Sequence, residues 1–171
     1  FYFIIVTLGA VVIRGAGCIV NDLWDVEFDK KVARTKSRPL ASGELTRMDA
    51  NRMLAGLSVL SLLILLTLSK ASIFFGLLAV LPIIFYPTMK RLNYYPQVFL
   101  GLVFNMGVFI GWFAVYDTIT LMPFLLYAAC ALWTVGYDTI YAHQDKIDDL
   151  KAGVKSMALL LEDKTTEVVW R

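Results

Sequence analysis

Residues 92–116 read LNYYPQVFLGLVFNMGVFIGWFAVY, a run without a single charged side chain. A helix needs about 20 apolar residues to cross the hydrocarbon of a bilayer, so this stretch is long enough to span one. The same pattern continues in both directions. Residues 53–69, 71–89 and 118–137 also lack charge, and residues 1–20 carry only Arg14. Each reads as a transmembrane helix. Residues 1–20 start without an initiator Met, a basic n-region or a small-residue cleavage site, and so read as a truncated span rather than a signal peptide.

Composition agrees with this reading. The chain is 58% hydrophobic and 18% charged, with a mean hydropathy of +0.67, too apolar for an ordinary soluble domain of 171 residues. The expected fold class is therefore all-α, a multi-pass transmembrane helical bundle of about five helices. Residues 1–171 read as one membrane domain with lipid as its surroundings. Cys18 and Cys130 fall within expected spans without CxxC or Cys/His spacing, which argues against a disulfide framework or a zinc site.

The net charge of +2 is unevenly distributed. Residues 21–52 hold Lys30, Lys31, Arg34, Lys36, Arg38, Arg47 and Arg52; the next connection has Lys70 alone. The following one has Lys90 and Arg91, the next has none, and the C-terminal stretch has Lys146, Lys151, Lys155 and Lys164. Positive charge thus alternates with each crossing. By the positive-inside rule, the three basic loops lie on the cytoplasmic face of a bacterial inner membrane, or on the matrix face of a mitochondrial one. Charge confined to such loops gives no sign of a nucleic-acid partner. Pro39 and Gly43 break the first loop, Pro87 and Pro96 are expected to bracket the second, and Pro82 is expected to kink a span.

Two of these loops also carry carboxylates at helical spacing. The first, residues 21–52, opens with NDLWDVEFD at 21–29, and in a helix Asp22, Asp25 and Asp29 line one face. The second, residues 138–156, holds Asp138, Asp145, Asp148 and Asp149, of which Asp138, Asp145 and Asp149 would share a face. Like charges stacked in this way repel unless a cation lies between them. Carboxylates without His or Cys are hard ligands that select Mg²⁺ or Ca²⁺, and Mg²⁺ suits a site shared with phosphate. Arg34, Lys36, Arg38, Lys90 and Arg91 could clamp a diphosphate. Lys30, Lys31, Arg47, Arg52 and Lys164 read as solvated, orientation-setting charge, and His143 as a solvated loop residue. Arg14, two turns before Asn21, is an intramembrane charge and so a functional candidate; snorkelling or a backbone hydrogen bond is the alternative.

The segments NDLWDVEFD, RTKSRPLASG, YPTMK and YDTIYAHQDKIDD with GVKS resemble, in order and across nearly the whole chain, the UbiA superfamily of membrane prenyltransferases. That resemblance implies a nine-helix bundle around a cavity open to lipid, of which this chain would supply about helices two through six. It implies Mg²⁺-dependent transfer of a polyprenyl group from a polyprenyl diphosphate to an aromatic acid. The wording of both aspartate motifs is most similar to members acting on 4-hydroxybenzoate in ubiquinone biosynthesis. Carried over residue by residue, Asn21, Asp22, Asp25 and Asp29 match the first motif, Tyr86 and Lys90 the second, and Asp145 and Asp149 the third. Asp138 matches the acid closing the preceding helix. On this reading Asp22, Asp25, Asp29, Asp145 and Asp149 hold metal, and Lys90 and Arg38 add positive charge. Asn21 and Tyr86 bind substrate, and Arg14 meets the acceptor's carboxylate.

Two alternatives stay open. The same chemistry could serve another acceptor, in a menaquinone, tocopherol or haem pathway. A cation transporter is a rival from a different class, but transporters place ionisable groups near the bilayer midplane, and here no acid lies mid-span.

Overall fold

The computed structural model describes residues 1–116, 118–147, 150, 153 and 155–169, and every regular element among them is helical. The helices are α1 (Tyr2–Asp29), α2 (Pro39–Ser42), α3 (Arg47–Leu65), α4 (Lys70–Leu92), α5 (Pro96–Phe104), α6 (Gly107–Val115), α7 (Met122–Ala142), α8 (Met157–Leu161) and α9 (Thr165–Val169). Among the described residues four stretches are long and apolar enough to cross a membrane: α1, α3, α4 and the consecutive pair α5–α6. The span expected over 118–137 begins at Met122 and runs on to Ala142 as α7. Its tyrosines, Trp133 and Asp138 make it less apolar than those four.

The buried core is built largely from small side chains, Ala16, Ala50, Ala79, Ala114, Ala131 and Ala158, whereas Leu62, Leu63, Leu77, Leu81 and Trp133 are exposed. Water would drive such large side chains inward. In lipid no such force acts between helices, and small residues at the contacts let the helices approach.

The chain divides into two compact units, residues 1–84 with 109–119, and residues 85–108 with 120–171. In the first, α1 packs along α3. Thr46 starts α3 with a capping box: its hydroxyl accepts from the Asp49 amide at 3.2 Å, and Asp49 accepts from the Thr46 amide at 3.2 Å. The start of α4 holds the end of the membrane pair α5–α6 through hydroxyls, with Ser69 donating to the Phe113 carbonyl at 2.7 Å and Ser72 to that of Ile110 at 2.8 Å. Phe75 stacks on both Phe109 and Phe113.

In the second unit α5 lies against α7 so closely that a Cβ on Gly101 would sit 2.8 Å from the Ala131 carbonyl oxygen. The charge-free run 92–116 is not one helix. It breaks between Phe104 and Gly107, and the break is repaired with side chains, because lipid offers no water to the freed carbonyls. The Asn105 amide nitrogen donates to Gly101 O at 2.7 Å, Cys130 O at 3.2 Å and Thr134 Oγ1 at 2.9 Å, while the Tyr127 hydroxyl donates to Leu102 O at 2.7 Å. Replacing Asn105 by Leu is expected to destabilise the complete protein by about 1–2 kcal/mol. A lowered melting temperature in detergent, absent in Asn105→Gln if the longer amide recovers the contacts, would register it.

Two local expectations change. Pro87 does not bracket a loop. It is buried inside α4, which runs through both Pro82 and Pro87 to Leu92 and so carries Lys90 and Arg91 in its last turn. Positive charge there complements the helix dipole, and the Thr88 hydroxyl donates to Phe85 O at 2.7 Å nearby. His143 is not simply solvated: it is half-buried, and its Nε2 lies 2.9 Å from the hydroxyl of buried Thr165, because α9 folds back onto α7.

Candidate active site

The first motif lies on the end of α1, which continues without a break through Asn21 to Asp29. A helical register therefore places Asp22, Asp25 and Asp29 on one face, as their spacing predicts. Asp25 and Asp29 are buried, 1% and 3% exposed, and Asp22 is half-buried, with a hydrogen bond from the Asn21 side chain. Burying a carboxylate requires compensation, which for Asp29 the following segment supplies.

After Asp29 the chain folds back through successive tight turns. The amide of Val32 donates to Asp29 O, that of Thr35 to Val32 O, and that of Arg38 to Thr35 O at 2.9 Å. The Thr35 hydroxyl returns to the Asp29 carbonyl at 3.2 Å, and Val32 is buried beneath the turns. Pro39 then opens α2 at a position that needs no amide donor, and Gly43 ends it with φ +86°, a left-handed conformation that suits glycine. This brief helix keeps Arg38 pointing back along α1. One nitrogen of its guanidinium, Nη1, lies 3.0 Å from Asp22 Oδ1 and 2.9 Å from Asp29 Oδ2.

A single cationic nitrogen thus sits between two carboxylates that lie two turns apart on one helix face. These oxygens can converge on one positive charge, so the donor set suits a hard divalent cation. Among the described residues no three acidic, His or Cys side chains gather as a complete ligand set. Water and phosphate oxygens would have to complete the shell, as is usual for Mg²⁺. Arg14 is exposed on α1, two turns before Asn21.

In the second unit Tyr86 and Lys90 are one helical turn apart on α4, and both are half-buried. Asp138 is half-buried near the end of α7. The expected common face of Asp138 and Asp145 does not continue as α-helix, because α7 ends at Ala142 and His143–Asp145 is a 3₁₀ turn. Three residues per turn, instead of 3.6, shift the direction in which Asp145 emerges. Asp148 and Asp149 lie outside the described residues.

The sequence reading passed over two residues of this unit. Gln97, 4% exposed, accepts the Met157 amide at 3.0 Å. Lys155, counted among the basic residues of the C-terminal stretch but given no role, contacts the end of α4. The signal for Gln97 was an amide side chain in an otherwise apolar run. For Lys155 it was the GVKS segment, whose lysine had no assigned task.

Comparison with known proteins places this geometry in context. A mitochondrial 4-hydroxybenzoate polyprenyltransferase of Caenorhabditis elegans is 53% identical over 154 residues, covering 90% of this chain and 43% of the relative. The enzyme of the same name from Homo sapiens is 46% identical over 160 residues, covering 92% of this chain and 43% of the relative. The chain thus spans about two-fifths of the length of these curated relatives. Among solved structures, the apo form of a UbiA homolog from Aeropyrum pernix K1 superposes with a TM-score of 0.85 at 29% identity, over 97% of this chain and 63% of that one. A digeranylgeranylglyceryl phosphate synthase superposes at 0.74 with 20% identity, over 98% of this chain and 59% of that one, a likeness of fold. The UbiA prenyltransferase family itself matches residues 1–170, and the chain belongs to that family.

Proposed function

We propose that the protein to which this chain belongs transfers a polyprenyl group from its diphosphate to 4-hydroxybenzoate, using Mg²⁺, as a step of ubiquinone biosynthesis. The observation that carries the metal-dependent part is the pair of carboxylates, Asp22 and Asp29, converging on one cationic nitrogen. The choice of acceptor rests on the names of the relatives. The basic loops and their motifs would face the matrix or cytoplasm.

When bound, Mg²⁺ supplies positive charge where the departing diphosphate gathers negative charge. Asp22, Asp25 and Asp29, with Asp145 and Asp149, would hold it. Lys90 and Arg38 would place further cations against the diphosphate oxygens, with Tyr86 and Asn21 orienting the group and Asp138 supporting the second motif. The allylic C–O bond breaks with both electrons leaving on the diphosphate. The ring carbon beside the phenol of the acceptor then bonds to the allylic carbon and loses its proton. Arg14 would pair with the acceptor's carboxylate. The apolar helix walls would keep water from the allylic cation.

The test uses membranes carrying the complete protein, given labelled 4-hydroxybenzoate, other aromatic acceptors, polyprenyl diphosphates and Mg²⁺, followed by lipid extraction. Label from 4-hydroxybenzoate should enter the lipid fraction and vanish with chelator. Product from a different acceptor alone would overturn the substrate assignment.

A further inference from the structure

Lys155 of the GVKS motif closes on the end of α4 that carries Lys90. The Lys155 amide donates to the Lys90 carbonyl at 2.8 Å, and its ammonium donates to the Leu92 carbonyl at 3.3 Å. The same ammonium lies 5.5 Å from the centre of the Tyr94 ring. The next two residues anchor the segment from the other side. Buried Ser156 accepts the Leu159 amide at 3.3 Å and starts α8, and the Met157 amide donates to the buried Gln97 side chain at 3.0 Å.

The last carbonyls of a helix have no partner within it, and a helix end left so frays. Lys155 satisfies two such groups at the last turn of α4, one with its backbone and one with a charge of the sign the helix end favours. Lys90 lies in that turn, and its own main chain is one of the two groups held. An ammonium already engaged by a helix carbonyl and an aromatic face is committed to structure, whereas Lys90 is the cation on the motif helix itself.

We propose that Lys155 is a positioning residue, which fixes the last turn of α4 so that Lys90 is presented to the diphosphate of the donor in one orientation. The proposal rests on the reading of Lys90 given above. It also gives the GVKS segment a task distinct from that of the aspartates before it: it splints the basic motif.

The experiment measures KM for polyprenyl diphosphate and for the aromatic acceptor, together with kcat, in the complete enzyme and five variants. Lys155→Gln should raise the donor KM about fivefold, the scale of a cation at a helix C-terminus, and leave the acceptor KM unchanged. Lys155→Arg, which can cap the same carbonyl and lie on the same ring, should recover to within about twofold of the parent. In a Lys90→Ala background, Lys155→Gln should add little, because residues acting through one another are not additive. Tyr94→Leu, which removes the ring but not the main-chain bond, should show a smaller donor KM rise and carries the test if Lys155→Gln is not recovered folded. If Lys155→Gln raises the donor KM equally with and without Lys90, Lys155 acts on its own and the positioning role is overturned while Lys90 keeps its place. If Lys90→Ala itself leaves donor KM untouched, the reading of Lys90 falls and takes this one with it.

Discussion

Asp25→Asn in the complete enzyme is expected to lower prenyl transfer by about a thousandfold or more, with membrane insertion unchanged. Asp25 is the most deeply buried acid of the first motif, 1% exposed, between Asp22 and Asp29 on the same face of α1. Asparagine keeps the volume and one oxygen acceptor, so the helix packing has little reason to change. What it removes is the negative charge that a divalent cation requires. Loss of one preorganised electrostatic partner costs about 10²–10³ in rate, and loss of a metal's charge partner stands at the upper end of that scale. Asp145→Asn, in the other motif, should act in the same direction. Lipid extraction after incubation with labelled acceptor measures product, and a detergent melting curve shows whether each variant is folded. Turnover within tenfold of the parent in a folded Asp25→Asn protein would remove the carboxylate-metal account.

The bilayer character and the first motif were legible in the sequence because both depend on periodicity. Charge-free runs long enough to cross hydrocarbon mark most of the helices, and Asp22, Asp25 and Asp29 at steps of three and four residues need only helix to share a face. Features set by tertiary contact were not legible. Pro87 looked like a loop boundary because proline cannot donate an amide, yet α4 absorbs it within packed, water-free surroundings. Nothing within 92–116 marks the break at Asn105 as tolerable. Its repair uses Thr134, far along the chain. Likewise Arg38 was one of several cations after the first motif, and only the turns over 30–38 single it out to face Asp22 and Asp29. The helix boundary at Ala142 defeated the extrapolation from Asp138 to Asp145, since the same spacing in a 3₁₀ turn points elsewhere.

Arg38→Met is expected to produce a protein whose stability depends on divalent cation far more than the parent's. Arg38 places one nitrogen 2.9 Å from Asp29, whose side chain is only 4% exposed, and 3.0 Å from the more open Asp22. Removing one partner from a fully buried ion pair costs about 3–5 kcal/mol, because the other charge stays behind unsatisfied. Here the arginine is one-third exposed, so water can partly replace it and about 2 kcal/mol is the better expectation. Methionine retains much of the apolar stem, which confines the change to charge. In chelator the variant should therefore melt several degrees below the parent. Added Mg²⁺ or Mn²⁺ should close most of that gap, since a ligand that binds only the folded state stabilises it in proportion to the logarithm of its saturation. The parent should respond less, because its arginine already neutralises the pair and must give way before metal can take both oxygens. Arg38→Lys should fall between them, its single ammonium being able to reach one carboxylate more readily than two. Magnesium and manganese titrations followed by melting would separate these cases without any turnover assay. A variant equally unstable with and without divalent cation would mean that Arg38 serves α1 and α2 alone, and that Asp22 and Asp29 are not a cation's ligands.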